Sequence, residues 1–128
     1  MKTFKFTVPF YKVEVVLIQV EGSQDIDEVR ECCRKYNIDD AEQIEQYVSN
    51  GVKDGGDTFR DLGRRQMVVF FYPFSDEQER ANTYSHEKRH VEDRLLEYYN
   101  VHDIESAAML AGFIGEQFWI FENQNKLQ

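Results

Sequence analysis

Two apolar blocks, Val15-Val16-Leu17-Ile18 and Met67-Val68-Val69-Phe70-Phe71-Tyr72, interrupt a chain otherwise patterned as mixed apolar and polar positions. Residues 11–20 carry Val13, Val15 and Leu17 on one face and Val16, Ile18 and Val20 on the other, which predicts a strand covered on both sides. Residues 66–72 predict a second strand, stopped by Pro73. Phe4, Phe6 and Val8 alternate with polar residues and predict an extended stretch over 3–9, interrupted at Pro9.

The remaining periodicity is helical. Ile26, Val29, Cys33 and Tyr36 predict a helix from about Asp25 to Asn37, and Ile44, Tyr47 and Val48 a short one over 39–49, closed by Asn50-Gly51. Residues 51–63 lack a period and are expected as a loop. Its Gly55-Gly56 pair signals a turn or a close backbone approach beside a cleft. Ser75 is the expected N-cap of a long helix over about 76–99, with Asp76, Glu77 and Glu79 in its first turn. After the connector 100–103, a last helix over about 104–121 is expected to bury Ala107, Ala108, Leu110, Ala111, Ile114, Phe118 and Trp119. Gly112 and Gly115 would let it approach a neighbouring helix, and the polar tail 123–128 is expected to fray. These elements predict an α+β fold: a small sheet (strands about 11–20 and 66–72) packed on helices.

A chain of 128 residues is sized for one domain, 1–128. The formal charge of −9 argues against nucleic acid and anionic membranes as partners. No apolar run is long enough to span a bilayer, and the segment Met1–Phe6 lacks the apolar core of a secretory signal. The expected location is therefore cytoplasmic. Cys32 and Cys33 are adjacent, cannot easily bridge one another on a helix, and are expected as reduced thiols, one packed inward.

Chemistry concentrates in His86-Glu87-Lys88-Arg89-His90, which reads H-E-x-x-H and holds two of the three histidines. On a helix this spacing places two imidazoles on one face for a metal, with a carboxylate beside them to activate water as general base. The expected metal is zinc, held by His86 and His90, with Glu87 as the base. A catalytic zinc wants a third protein ligand. Glu105, in the first turn of the next helix, is the first choice, followed by His102 and Asp103. Leu96 stands where an extended form of the motif has a third His, and Asp93 where that form has Gly. Lys88 and Arg89 would weaken a dication site unless they pair with Glu92, Asp93 or Glu97 along the helix.

The segment 55–115 resembles small zincin-like proteins of unknown function from Bacteroides-type genomes, often encoded near phage or mobile-element genes. The resemblance is carried by Gly55-Gly56-Asp57-Thr58, by 67–73, by Ser85-His86-Glu87-Lys88-Arg89-His90 and by 103–112. It is similar also to the gluzincin arrangement, in which a Glu on the following helix completes the metal site. That resemblance implies a minimal zincin-like core, with His86, His90 and Glu105 as ligands and Glu87 as base.

Two functions follow as expectations. One is a zinc-dependent peptidase or amide hydrolase, with strand 66–72 as the edge that pairs with a peptide or protein substrate and His102, Tyr98 or Tyr99 as oxyanion donors. The other is a non-catalytic interaction protein on the same scaffold, presenting an acidic surface to a basic phage or host protein.

Overall fold

The computed structural model describes residues 1–124; the end of the polar tail expected to fray lies outside them. Four strands and four α-helices form a mixed α+β domain. They are β1 (Lys2–Val8), β2 (Val13–Gln19), α1 (Ile26–Lys35), α2 (Ala41–Ser49), β3 (Gly56–Asp61), β4 (Gln66–Phe71), α3 (Glu77–Tyr98) and α4 (Ile104–Gln124). The sheet order is β1-β2-β4-β3, with β2 and β4 parallel and both outer strands antiparallel to their neighbours.

The two apolar blocks become the two central strands because only there is a strand covered on both faces. Val13, Val15 and Leu17 of β2 and Met67, Val69 and Phe71 of β4 pack with Tyr84, Val91 and Leu95 of α3 and with Leu110, Ile114, Phe118 and Phe121 of α4. The alternate residues Val16, Ile18, Val68 and Phe70 pack with Val29, Cys33, Ile44 and Val48 of α1 and α2. Two separate cores thus sandwich one sheet. Cys33 is the inward-facing thiol, and burial pushes it up to about 11.

Three expectations fail here, each for a physical reason. Residues 56–61, expected within a loop, form β3, a strand whose register comes from β4 and not from its own pattern. With β3 on its flank, β4 is interior and cannot be the edge that receives a peptide; the edges are β1 and β3. The α3 N-cap is Asp76, whose Oδ1 accepts from Glu79 N at 2.9 Å, while Ser75 turns back to Asp54.

On α4, Leu110, Ile114 and Phe118 are buried as expected, whereas Ala108 is exposed and Trp119 is 64% exposed. The glycines do not mediate close helix packing. A Cβ on Gly112 would meet nothing within 4 Å, and one on Gly115 would make only an ordinary contact with Lys88 Nζ at 3.9 Å.

Candidate metal centre

α3 has three working flanks. Tyr84, Val91 and Leu95, spaced seven and four apart, face the sheet. Lys88 and Glu92 turn toward α4 and pair at 3.5 Å, with Glu92 buried. The third flank, carrying Thr83, Glu87, His90 and Arg94, runs along the edge strand β3, with His86 just outside it. Lys88 and Arg89 do pair within the helix, Arg89 with Asp93 at 3.2 Å, so both cations are drawn away from the imidazoles.

His86 Nε2 and His90 Nε2 lie 2.9 Å apart, with the rings at 87° to one another. At that distance one ring can donate its Nε2–H to the other Nε2 as a neutral hydrogen bond, or the two Nε2 lone pairs can share a metal ion. An ion about 2.0–2.1 Å from each nitrogen would see them at an angle of about 90°. Opening the pair to roughly 3.3 Å, within the play of one His rotamer, gives the tetrahedral angle.

Glu87 completes the cluster. Ligand atoms of His86, Glu87 and His90 all lie within 4.8 Å of one another. The Glu87 carboxylate is buried, and its Oε2 accepts from Thr58 Oγ1 at 2.7 Å. Glu87 sits against Gly56: a Cβ there would lie 3.0 Å from Glu87 Cγ, 3.0 Å from the Phe70 carbonyl oxygen and 3.3 Å from Thr83 Cγ2. The close approach signalled by Gly55-Gly56 is therefore made by Gly56, to the helix that bears the histidines. Asp54, Gly55, Gly56, Asn82, Thr83, His86 and Glu87 border an open cleft at this edge.

The backbone of β3 shapes the other wall. Tyr72 N donates to Gly55 O at 3.0 Å, which sets the antiparallel alternation. Bonded pairs fall at Asp57 and Phe59, and the N–H and C=O groups of Gly56, Thr58 and Arg60 point off the sheet. Arg94 Nη1 takes the outward Thr58 carbonyl at 2.7 Å. Burial holds the Arg94 guanidinium below its ordinary value, the neighbouring Arg60 adds to this, and Glu87 opposes it.

The structure unites His86, Glu87 and His90 but does not bring Glu105 to them. The connector makes α3 and α4 a hairpin, so the first turn of α4 lies beside the last turn of α3. His90 lies more than two turns before that end, about 12 Å along the axis at ~1.5 Å per residue. The packing flank adds a second obstacle, since α4 meets the Lys88 side and the imidazoles lie on the β3 side. Glu105 is exposed. His102 instead pairs with Asn100 Oδ1 at 2.6 Å, and Asp103 caps α4 by accepting from Ser106 N and Oγ at 2.8 Å each. Those two bonds hold the Asp103 carboxyl below the usual range. Of the oxyanion candidates, Tyr99 stacks on Tyr11 with centroids 4.2 Å apart and Tyr98 projects beside Arg60 and Asp61.

Thr58 enters the sequence reading only within Gly55-Gly56-Asp57-Thr58 and Arg94 not at all, since their roles at the site exist only once β3 lies along α3. No family model, curated protein or solved structure matches the chain.

Proposed function

We propose that this chain is a zinc-dependent peptide or amide hydrolase with a minimal zincin-like core, His86 and His90 holding the ion and Glu87 serving as general base. The observation that carries this reading is the convergence of two Nε2 atoms at 2.9 Å beside a buried carboxylate anchored to an edge strand. Two imidazoles on one helix face suit a borderline ion such as zinc and supply two of the three protein ligands of a catalytic site, while Glu87 stays off the metal as base. When bound, zinc would supply Lewis acidity toward water and the scissile carbonyl.

The chain's own residues do the rest. Thr58 holds Glu87 Oε2, which leaves Oε1 to take a proton from water and deliver it to the leaving amine. Hydrolysis adds water across the amide C–N bond, giving a carboxylic acid and an amine. The outward N–H and C=O of Gly56 can pair with an extended substrate, so the receiving edge is β3.

One observation favours the second reading, a non-catalytic metal-holding interaction protein. With Glu105 elsewhere, Glu87 is the third donor nearest the histidines among the described residues. If it ligates, no base remains. Elemental analysis of zinc-loaded protein without a His tag, beside His86→Ala and Glu87→Gln, separates the two. The hydrolase reading expects metal lost in His86→Ala, and metal kept but peptide cleavage lost in Glu87→Gln. Metal lost in both favours the second reading, and equal metal in wild type and His86→Ala removes the site.

A further inference from the structure

We propose that Arg94 and Arg60 form a carboxylate-binding subsite at the closed end of the β3 edge, so that the substrate is a peptide or acylated amino acid with a free carboxylate beside the bond to be cut. This rests on the hydrolase reading above and names its substrate class.

Three observations carry it. First, Arg60 and Thr58 share one face of β3, and Arg94 reaches the Thr58 carbonyl at 2.7 Å. Thr58 also holds Glu87 at 2.7 Å, so one residue separates the guanidinium from the base. Second, neither guanidinium has a carboxylate within ion-pair distance among the described residues, Glu87 acting on Arg94 only from beyond it. Asp61 is taken by Arg64 at 3.6 Å, and Glu97, which borders the same depression as Arg60 and Asp61, reaches neither. Two neighbouring cations without an ion-pair partner among the described residues, one of them half-buried, in a chain of net charge −9, would favour a carboxylate between them. Third, Arg94 occupies the outward carbonyl that the next substrate N–H would need. A chain paired at Gly56 loses that bond at Thr58, and a C-terminal carboxylate, which brings no further N–H and carries the opposite charge, suits this end of the edge.

The alternative role for Arg94 is to cap the edge against other strands. Arg94→Gln separates the two, because a Gln amide can still donate to a carbonyl but carries no charge. The probes are N-acetyl-alanyl-alanine and its C-terminal amide. Affinities are measured by NMR titration on metal-free protein, where no turnover occurs, and cleavage is measured on zinc-loaded protein. The free acid should bind metal-free wild type about tenfold or more better than the amide, as charge-assisted pairing implies. That ratio should fall to within about twofold in Arg94→Gln and drop in part in Arg60→Gln, whose exposed site leaves the fold intact. Zinc uptake should be unchanged in both variants. Equal binding of acid and amide, or an acid preference that survives Arg94→Gln, overturns the subsite. Acid preference without any cleavage by zinc-loaded protein supports the subsite and removes the hydrolase reading.

Discussion

Gly56→Ala tests the contact on which the site is built. The added Cβ would sit 3.0 Å from the Phe70 carbonyl oxygen, 3.0 Å from Glu87 Cγ and 3.3 Å from Thr83 Cγ2. The Phe70 oxygen belongs to the interior strand β4 and cannot retreat, so the strain falls on Glu87 and on the spacing between β3 and α3. Adding one methyl to a packed contact of this kind costs about 1–3 kcal/mol. For a domain of this size that is roughly a 4–12 °C fall in Tm. Gly112→Ala is the internal control. Nothing lies within 4 Å of its Cβ position on α4, so the change should stabilise by about 0.5–1 kcal/mol through helix propensity alone. Thermal melts followed by circular dichroism give both numbers, and zinc calorimetry with peptide cleavage reads the site. Cleavage in Gly56→Ala should fall more than zinc affinity, since the methyl displaces Glu87 and leaves the imidazoles alone. A Gly56→Ala protein that melts within about 1 °C of wild type and keeps full cleavage would refute the reasoning.

Other expectations follow from the same contacts. Thr58→Val removes the donor to the Glu87 carboxylate and should cost about 1–3 kcal/mol of stability, with cleavage down roughly 10–100-fold, as loss of an orienting partner does; unchanged rates would show that Thr58 does not orient the base. Glu105→Gln should leave zinc affinity within about twofold by calorimetry, and a large loss would restore Glu105 as a ligand. Asp57 is half-buried, and burial raises its carboxyl above the usual value despite the bond from Tyr72. An acid raised in the folded state destabilises that state when ionised. Asp57→Asn should therefore raise Tm near neutral pH, the gain vanishing as pH falls below the ordinary Asp range; a gain that persists at low pH contradicts the assignment.

The parts of the molecule legible in the sequence are those whose signal is local. Val15 to Ile18 and Met67 to Tyr72 declare themselves because burial on both faces leaves no polar positions there. The α3 spacing places His86 and His90 together without any help from tertiary structure. β3 was illegible because Phe59 is its one apolar side chain among Asp57, Thr58, Arg60 and Asp61, and an edge strand borrows its order from its neighbour. That single omission made β4 look like the edge and hid Thr58 and Arg60. Glu105 stands apart for a different reason. A short connector correctly implies a hairpin, but a hairpin sets the start of α4 against the end of α3, not against its middle.

The centre is divided between a helix and a strand of unequal tenacity. Both imidazoles ride on α3, which is clamped by the core through Tyr84, Val91 and Leu95, whereas Thr58 belongs to an edge ribbon laced to one neighbouring strand and tied to α3 by side chains alone. Peeling of that ribbon would leave an ion's two nitrogens in place while setting the carboxylate adrift. If the chain is the proposed zinc hydrolase, metal occupancy and turnover should therefore decouple on warming, with cleavage going quiet well before a bound ion is let go.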